Sequence, residues 1–587
     1  MNGVKKQTEA IGSRLGERER AEYGRIFAPR IVAVPPSDSK FDICVTADGE
    51  IRAYGWADRD VPGKLESGRK VYLSSVDGGL TWAQHDAHPN DIGACVYVPW
   101  TGKYVVVKPR TNPQTGKYEI VSYVSDVGAG DPSPRIIHVT DVPYFDIFLP
   151  VLLPDMKRMV ITGTRRDENW DYHMAVMISD DGGESFEIKE LDTLPRYVSK
   201  PPHKGPRWNN NGGEPSVCRL KDGRLWMLIR TSDDYMYESF SSDGGDTWEK
   251  PRRSRFHMTL TTPCALTLSD GRTVLFWNGT HPMPEIDKNT IPHEIDEDTR
   301  IGNWEDVFTN RDAAHAAITE DCGKTFFGLR ETLLNGIRHA SDFRACGGFL
   351  EGLDRSVHQF QAIELPMGKI LLSAGQHAVS RRLMIFDIRW LYEKERTESF
   401  ICGYDNVSVQ GYLKSISASQ VHRGFPGHCQ WNRIASVLPV PDPLGSCREV
   451  MQFAFSDDPR LFNGISGMAW NFPASKKGRI ELEVLRLGAG LRISLADEWI
   501  NPTDPTVSEV AEFSFEVGKA LPKGSWETLV IEWDTEASLA KCMLTGELIA
   551  EAELKHSAPF GLNYLHLQTL ARERDYEGCF LRNMKKV

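Results

Sequence analysis

The chain has 587 residues, of which 40% are hydrophobic, and a formal net charge of −12. This length predicts more than one domain with ample core, and the negative charge argues against a nucleic-acid surface. No apolar run approaches the roughly 18 residues of a membrane span, and the charged N-terminus lacks an apolar signal segment. The eleven cysteines are scattered without metal spacing. We therefore expect reduced cysteines and a cytoplasmic protein, or a secreted or periplasmic one if an export signal has been trimmed.

An N-terminal arm (1–24) precedes a long series of strand-like patterns that continues to about residue 400. Six segments fit one template of inner strand, tight turn, second strand, third strand and outer strand. The segment RIFAPRIVAVP (25–35) is predicted to supply the strand that closes the ring, which would remove exposed sheet edges. The six segments begin with FDICVTADGEIRAYG, ACVYVPWTGKYVVVKPR, FDIFLPVLLPDMKRMVITGTRRD, EPSVCRLKDGRLWMLIRT, TPCALTLSDGRTVLFWNGT and HQFQAIELPMGKILLSAGQ.

Four copies of one short phrase lie within this series: SVDGGLTW (75–82), SDDGGESF (179–186), SSDGGDTW (241–248) and TEDCGKTF (319–326). Repeats at intervals of tens of residues indicate arrays, solenoids or propellers. Each phrase is typical of a stiff hairpin turn, because the Asp carboxylate can accept backbone N–H bonds and Gly takes the positive-φ position. The final Trp or Phe is expected to pack between neighbouring sheets.

The phrase resembles the Asp box (S-x-D-x-G-x-T-W) of sialidase-like β-propellers, where it joins the third and fourth strands of a blade. The resemblance implies a mainly β chain with a six-bladed β-propeller over residues 25–400. It bears on the fold rather than on catalysis, because the box lies on the rim of a blade.

The pattern changes after about residue 400. Short alternating strands such as GRIELEVLRLG and WETLVIEWD follow without an Asp box. Residues 401–587 resemble the concanavalin-like β-sandwich (jelly roll) attached to many glycosidases. Both a structural support for the propeller and a sugar-binding module are consistent with this pattern.

In a propeller, the starts of the first strands and the ends of the second strands converge on the central axis. The residues at these positions are carboxylates, arginines, histidines and amides, a set suited to an acidic sugar. The predicted catalytic residues are Glu214, Asp58, Asp60 and His358, and the predicted substrate-binding residues are Arg230, Arg165, Arg166, Arg110, Asp146, Gln359, His377 and Asn278.

The stretch NNNGGEPSV (209–217), followed by Arg230, resembles the sialidase segment in which a Glu assists the nucleophilic Tyr and an Arg binds the substrate carboxylate. Carried over by position, Glu214 and Arg230 match that Glu and Arg. Two features depart from the family: SKFD (39–42) replaces the first Arg-Ile-Pro, and His358-Gln359 stand where the catalytic Tyr is expected. Ordinary sialidase chemistry is therefore not expected.

Three functions remain open. The first is an exo-acting glycoside hydrolase on a terminal sugar of an acidic, uronic-acid-type oligo- or polysaccharide, with Glu214 opposite Asp58 or Asp60. The second is implied by the resemblance, since some sialidase-like propellers use a central His on rhamnose–glucuronate linkages: a polysaccharide lyase at such a linkage, with His358 transferring the proton. The third is a non-catalytic sugar-binding propeller. No cofactor or metal spacing is recognised, and the sequence leaves the oligomeric state and bound calcium open.

Overall fold

The computed structural model describes residues 2–34, 42–57, 69–88, 91–126, 134–198, 209–281, 311, 313–334, 357–375, 381–409, 411–412, 431–432, 437–457 and 464–587. Its α-helices are α1 (Asn2–Ser13), α2 (Glu17–Arg25) and the single turn α3 (Val507–Val510). Among the described residues, no helix is long and apolar enough to cross a membrane. Most of the remaining regular structure is antiparallel strand, so the predicted mainly β fold is confirmed.

Six antiparallel sheets follow one another in the part of the chain that the structure describes before residue 392. A separate first strand is β1 (Arg30–Ala33). Sheets one and two contain β2 (Asp42–Val45), β3 (Ile51–Ala57), β4 (Arg69–Ser75), β5 (Ala83–Asp86), β6 (Val96–Val98), β7 (Lys103–Thr111), β8 (Tyr118–Ser125) and β9 (Arg135–Thr140). Sheet three contains β10 (Tyr144–Phe145), β11 (Val151–Leu153), β12 (Arg158–Arg166), β13 (Tyr172–Ser179) and β14 (Glu187–Glu190). Sheets four to six contain β15 (Asn211–Arg219), β16 (Leu225–Thr231), β17 (Tyr235–Ser241), β18 (Arg252–His257), β19 (Cys264–Thr267), β20 (Thr273–Trp277), β21 (Ala313–Thr319), β22 (Phe327–Leu334), β23 (Gln361–Leu365), β24 (Lys369–Ala374) and β25 (Arg382–Asp387).

The sheets close into a ring because each shares an apolar core with the next. For example, Leu228 of sheet four packs in one cluster with Leu275 of sheet five. The last sheet shares a cluster with the first, and it gains β1 as its fourth strand, with Arg30 opposite Ile385. The start of the chain thus closes the ring, as the sequence predicted. This arrangement pairs an edge that would otherwise be open.

Each of the four repeated phrases forms the same kind of turn. In the third copy, the Ser241 hydroxyl donates to Asp243 (2.8 Å) and accepts from the N–H of Gly245 (2.9 Å). The Thr247 N–H donates to the same Asp243 oxygen at 3.0 Å, and the Thr247 hydroxyl donates to the other oxygen at 2.5 Å. Trp248 packs between sheets three and four, and Trp82 packs in the cluster shared by sheets one and six. Both tryptophans lie between blades, as predicted.

A two-sheet sandwich follows the ring, and its buried residues form one core. The larger sheet has the order β30-β31-β40-β33-β36-β37-β38, with β26 also paired to β40, and the smaller has the order β27-β32-β39-β34-β35. Because β26 begins at Arg396, strand pairing starts slightly before residue 401. The domain boundaries themselves stay predictions. The strands are β26 (Arg396–Glu398), β27 (Val407–Ser408), β28 (Gly411–Tyr412), β29 (Trp431–Asn432), β30 (Leu438–Pro441), β31 (Glu449–Phe455), β32 (Gly467–Ser475), β33 (Lys477–Arg486), β34 (Leu491–Ala496), β35 (Phe513–Glu516), β36 (Trp526–Asp534), β37 (Leu539–Leu544), β38 (Glu547–Glu553), β39 (Leu562–Thr569) and β40 (Asp575–Lys586).

The sandwich packs against sheet five of the ring. The amide of Asn563 donates to the carbonyl of Leu329 at 2.8 Å, and the Tyr564 hydroxyl donates to Glu331 at 2.7 Å. Backbone bonds also cross the junction, since the N–H of His281 donates to the carbonyl of Trp499 at 2.7 Å. These buried polar contacts fix the sandwich beside the blade that carries Asn278.

Candidate active site

A cavity of about 490 Å³ follows the axis of the ring. It is lined by the inner strands of all six sheets and, at one end, by residues of α1. Three of the lining runs begin at Phe148, Ser216 and Phe360, and a fourth begins at Pro263. A polar residue lies one or two positions before each of these runs, at the end of the cavity where the inner strands begin. We define the mouth as Asp146, Glu214, Thr262, His358 and Gln359.

Glu214 is the best-defined carboxylate of the mouth. Its side chain is 7% exposed, and its Oε2 accepts a hydrogen bond from Nη1 of Arg230 at 2.6 Å. The Thr262 hydroxyl donates to the same oxygen from the neighbouring sheet. Arg230 reaches Glu214 because β15 and β16 are antiparallel and Arg230 stands opposite Gly213. These two donors fix the position of the Glu214 carboxylate.

The asparagines before Glu214 shape the backbone. The Asn210 carboxamide oxygen accepts from the N–H of Gly213 at 2.8 Å, and the Asn211 oxygen accepts from the N–H of Tyr172 at 2.9 Å. The pairing of β15 with β16 also shifts register between Gly213 and Ser216. The NNNGGE run is thus a scaffold that turns Glu214 out of the strand, and these contacts assign Asn210 and Asn211 a supporting role.

Three mouth residues share an uncommon backbone conformation. Asp146, Glu214 and Gln359 have φ values of 53°, 45° and 63°. A non-glycine residue in this left-handed region costs about 1–3 kcal/mol, and such residues cluster at functional sites. Each of the three stands just before an inner-strand run that lines the cavity, on a different sheet. Positive φ therefore recurs at equivalent positions of three sheets, at the end of the cavity where the inner strands begin.

Two arginines of the last two sheets lie near the mouth without having been selected from the sequence. Arg311 is 3% exposed and donates to the carbonyl of Leu260 at 2.7 Å, two residues before Thr262. Arg381 is fully buried and donates to the carbonyl of Gly375 at 2.9 Å. The N–H of Gly375 in turn donates to the carbonyl of His358 at 2.6 Å. Buried guanidinium groups at this end of the cavity favour an anionic ligand.

Asn278 and Asp146 have partners that fix their positions. Asn278 is fully buried, and its amide donates to the carbonyls of Ala313 (2.7 Å) and Val357 (3.4 Å). Val357 directly precedes His358, so Asn278 supports that part of the mouth. The Asp146 carboxylate accepts from the Thr164 hydroxyl at 3.3 Å.

The predicted arginines of sheets two and three separate into two groups. Arg110 pairs with Glu119 at 2.7 Å, and Arg165 pairs with Glu190 at 2.5 Å, so both span strands within their own sheets. Arg166 instead lies over the ring of Tyr172, with its guanidinium carbon 4.4 Å from the ring centroid. Of these three arginines, Arg166 is the one whose described contacts lead toward Glu214, because Tyr172 lies beside Gly213.

The remaining predicted residues have no described side chain. Asp58, Asp60 and His377 lie outside the described residues, as does the side chain of Asp42. Their roles stay predictions. Thr262 was missed, although it lies two residues before β19, the inner strand of sheet five, and fits the positional rule. Arg311 follows the long insertion after β20, and Arg381 lies at the end of the connection from β24 to β25. No local sequence pattern predicts that either arginine lies near the mouth.

Comparison with known proteins finds a family match over the part of the chain that contains Glu214, Arg230 and Thr262. Residues 150–333, which include three of the four Asp boxes, match the family described as BNR repeat-like domain. The match covers less than a third of the 587-residue chain, so it describes this segment as similar to that family. No curated protein sequence matches the chain.

Similar solved structures include sialidases. A Trypanosoma rangeli sialidase is 11% identical, with 94% of this chain and 91% of that chain covered and a TM-score of 0.39. A Hadza microbial sialidase is 14% identical, with 60% and 66% covered and a TM-score of 0.40. A Dyadobacter fermentans protein described as of unknown function is 14% identical, with 62% and 97% covered and a TM-score of 0.39.

Proposed function

We propose that the protein is a carbohydrate-active enzyme, an exo-acting glycoside hydrolase that removes a terminal sugar from an acidic oligo- or polysaccharide. The observation that carries the proposal is Glu214, a buried carboxylate in a strained backbone conformation at the mouth of the axial cavity. Arg230 and Thr262 hold its position. A fixed carboxylate can transfer a proton at a glycosidic oxygen or at a water molecule.

The arginines support an acidic substrate. Arg230, Arg311 and Arg166 approach the mouth from three different sheets. An arginine fork donates two parallel N–H bonds to a carboxylate, which suits the acid group of a uronic-acid-type sugar. Hydrolysis also needs a second carboxyl group, and the candidates from the sequence, Asp58 and Asp60, remain proposals.

Elimination is the second candidate. His358 is 1% exposed at the mouth, and its main chain is joined to the residue that also binds Arg381. An imidazole can remove a proton near neutral pH, and an adjacent arginine can stabilise the carboxylate whose charge grows as the proton leaves. In that reaction the C–H electron pair forms the new double bond, and the glycosidic oxygen leaves with the bonding pair.

The experiment is incubation of the protein with a panel of acidic oligosaccharides, including rhamnose–glucuronate fragments, with mass spectrometry of the products. Hydrolysis adds one water to the products and elimination does not. An aryl sialoside belongs in the panel as the expected negative. Binding without turnover across the panel would instead support a sugar-binding propeller.

Variants then test Glu214. We expect Glu214→Gln to lower kcat roughly 10²–10⁴-fold on the substrate found, because it removes a proton-transfer group. Arg230→Lys should mainly raise KM, since lysine keeps the charge and loses the fork. The matched control is Asp387→Asn, which removes a buried carboxylate paired with Lys369 away from the mouth. If Glu214→Gln lowers only stability, as the control should, Glu214 is structural and the proposal is wrong.

A further inference from the structure

Trp170 is a large apolar side chain displayed in solvent. It is 64% exposed, with φ at 65°, on the loop that joins β12 to β13 in sheet three. Inner strands begin, and second strands end, at the same edge of an antiparallel blade. The loop after β12 therefore leaves the ring on the side where Glu214 precedes the cavity-lining part of β15.

The loop that carries Trp170 is held in one conformation. The Asp167 carboxylate accepts from the N–H of Asp171 at 3.0 Å, and the Asp171 carboxylate pairs with Arg196 at 2.7 Å. The Asn209 amide donates to the carbonyl of Trp170 itself at 2.9 Å. A side chain presented by a fixed loop loses little conformational entropy when a ligand binds. These contacts hold the backbone of the loop, and with it the positive φ of Trp170.

Side-chain contacts connect the indole to Glu214. The Arg166 guanidinium carbon lies 5.3 Å from the centroid of the Trp170 ring and 4.4 Å from that of Tyr172. The Tyr172 ring edge is so close to Gly213 that a Cβ added there would lie 3.0 Å from it. Gly213 directly precedes Glu214. Trp170, Arg166 and Tyr172 therefore form a continuous wall that leads from solvent to the mouth.

We propose that Trp170 is a stacking platform for a sugar ring of the substrate chain beyond the sugar bound at Glu214. The inference rests on the proposed function and makes it more specific, because it assigns the substrate to oligosaccharides longer than the terminal unit. The C–H groups on one face of a pyranose present partial positive charge to the negative face of the indole. Arg166, behind the indole, attracts acidic groups on the same chain.

The test compares acidic oligosaccharides that share one terminal sugar and increase from two to five units. The measurement is kcat/KM for wild type, Trp170→Ala and Trp170→Phe. We expect wild type to prefer the longer members and Trp170→Ala to lose that preference, with about a tenfold loss on the longest and little change on the shortest. Trp170→Phe should restore part of the preference, since phenylalanine keeps an aromatic face.

Tyr576 provides a matched control in the sandwich. It is also 64% exposed, and the guanidinium carbon of Arg574 lies 5.4 Å from its ring centroid. Tyr576→Ala should retain the full length preference. If wild type is active and Trp170→Ala still prefers the longer oligosaccharides, the proposed platform is wrong, but the proposed function stands. If wild type cleaves no member of the series, the proposed function fails, and the platform fails with it.

Discussion

The junction between ring and sandwich contains a buried cluster of ionisable groups whose effect on stability can be tested. This cluster consists of His257, His281, Asp497 and Glu498, and we refer to these four residues as the seam. Nδ1 of His281 lies 2.9 Å from one Glu498 oxygen, and Nδ1 of His257 lies 3.7 Å from the other. Nε2 of His257 lies 3.6 Å from Asp497. The two histidines belong to the ring and the two acids to the sandwich.

The structure raises the pKa of both histidines and of Asp497. Burial alone would lower the pKa of His281, but the charge and hydrogen bond of Glu498 raise it to about 9 from 6.5. For His257, burial likewise lowers the pKa, and Glu498 and Asp497 more than offset this, so that its pKa is also raised. Burial raises the pKa of Asp497 to about 6. Asp234 and Asp504 also face His281 and act in the same direction as Glu498.

The sign of the pH dependence follows from these directions. The folded protein binds more protons at the seam than the unfolded chain does, so stability falls as pH rises. The contribution of His281 is fully present below pH 6.5 and is lost as pH rises through about 9. Its size is roughly 3 kcal/mol at 1.36 kcal/mol per pKa unit. In Glu498→Gln, burial dominates the pKa of His281, so this contribution should disappear.

The assay is urea unfolding of wild type and Glu498→Gln at pH 6, 7.5 and 9, with calorimetry to separate the transition of the sandwich from that of the ring. Wild type should lose roughly 3 kcal/mol between the lowest and highest pH from this group, and the variant should lose much less. His85→Gln is the control, because His85 is an exposed histidine of the first sheet whose Nε2 lies 2.8 Å from the Ser74 hydroxyl rather than beside a carboxylate. Equal pH slopes for wild type and Glu498→Gln would refute the argument.

Two further predictions concern packing and a buried ion pair. Gly49→Ala should lower the melting temperature more than Gly116→Ala. Both glycines have positive φ (86° and 71°), but only at Gly49 would the new Cβ lie 2.5 Å from backbone atoms of Ala10 in α1; equal effects would contradict the packing of α1 on the ring. Asp387→Asn should cost about 3–5 kcal/mol in urea unfolding, because it leaves the 1% exposed Lys369 without its carboxylate. A loss near zero would show that the pair adds nothing to stability.

The fold was predictable because its signals are local. An Asp box needs Ser, Asp, Gly and Thr at fixed offsets, and the structure has each of them bonded within one turn, as in Ser241, Asp243 and Gly245. The closing strand was also predictable, since an extended apolar segment before the first blade has an open sheet edge as its partner.

Residues of the site were predictable only where the position of a residue in a strand determines which way its side chain points. Glu214 and Arg230 face each other because an antiparallel pairing places Arg230 opposite Gly213. Arg165 and Arg166 are adjacent in a strand, so they point to opposite faces, and the sequence does not tell which face meets sheet four. The seam joins residues more than 200 positions apart, as in His281 and Glu498, and no local pattern can predict that contact.

The strain at Glu214 separates it from an ordinary buried ion pair. Lys369 and Asp387 form such a pair with Asp387 in extended backbone, at a φ of −87°. Glu214 has the same kind of partner in Arg230, yet its φ is 45°. An ion pair that served only stability would gain nothing from a conformation that costs about 1–3 kcal/mol. The cost becomes understandable if the conformation directs the carboxylate toward the axial cavity, where a substrate can reach it.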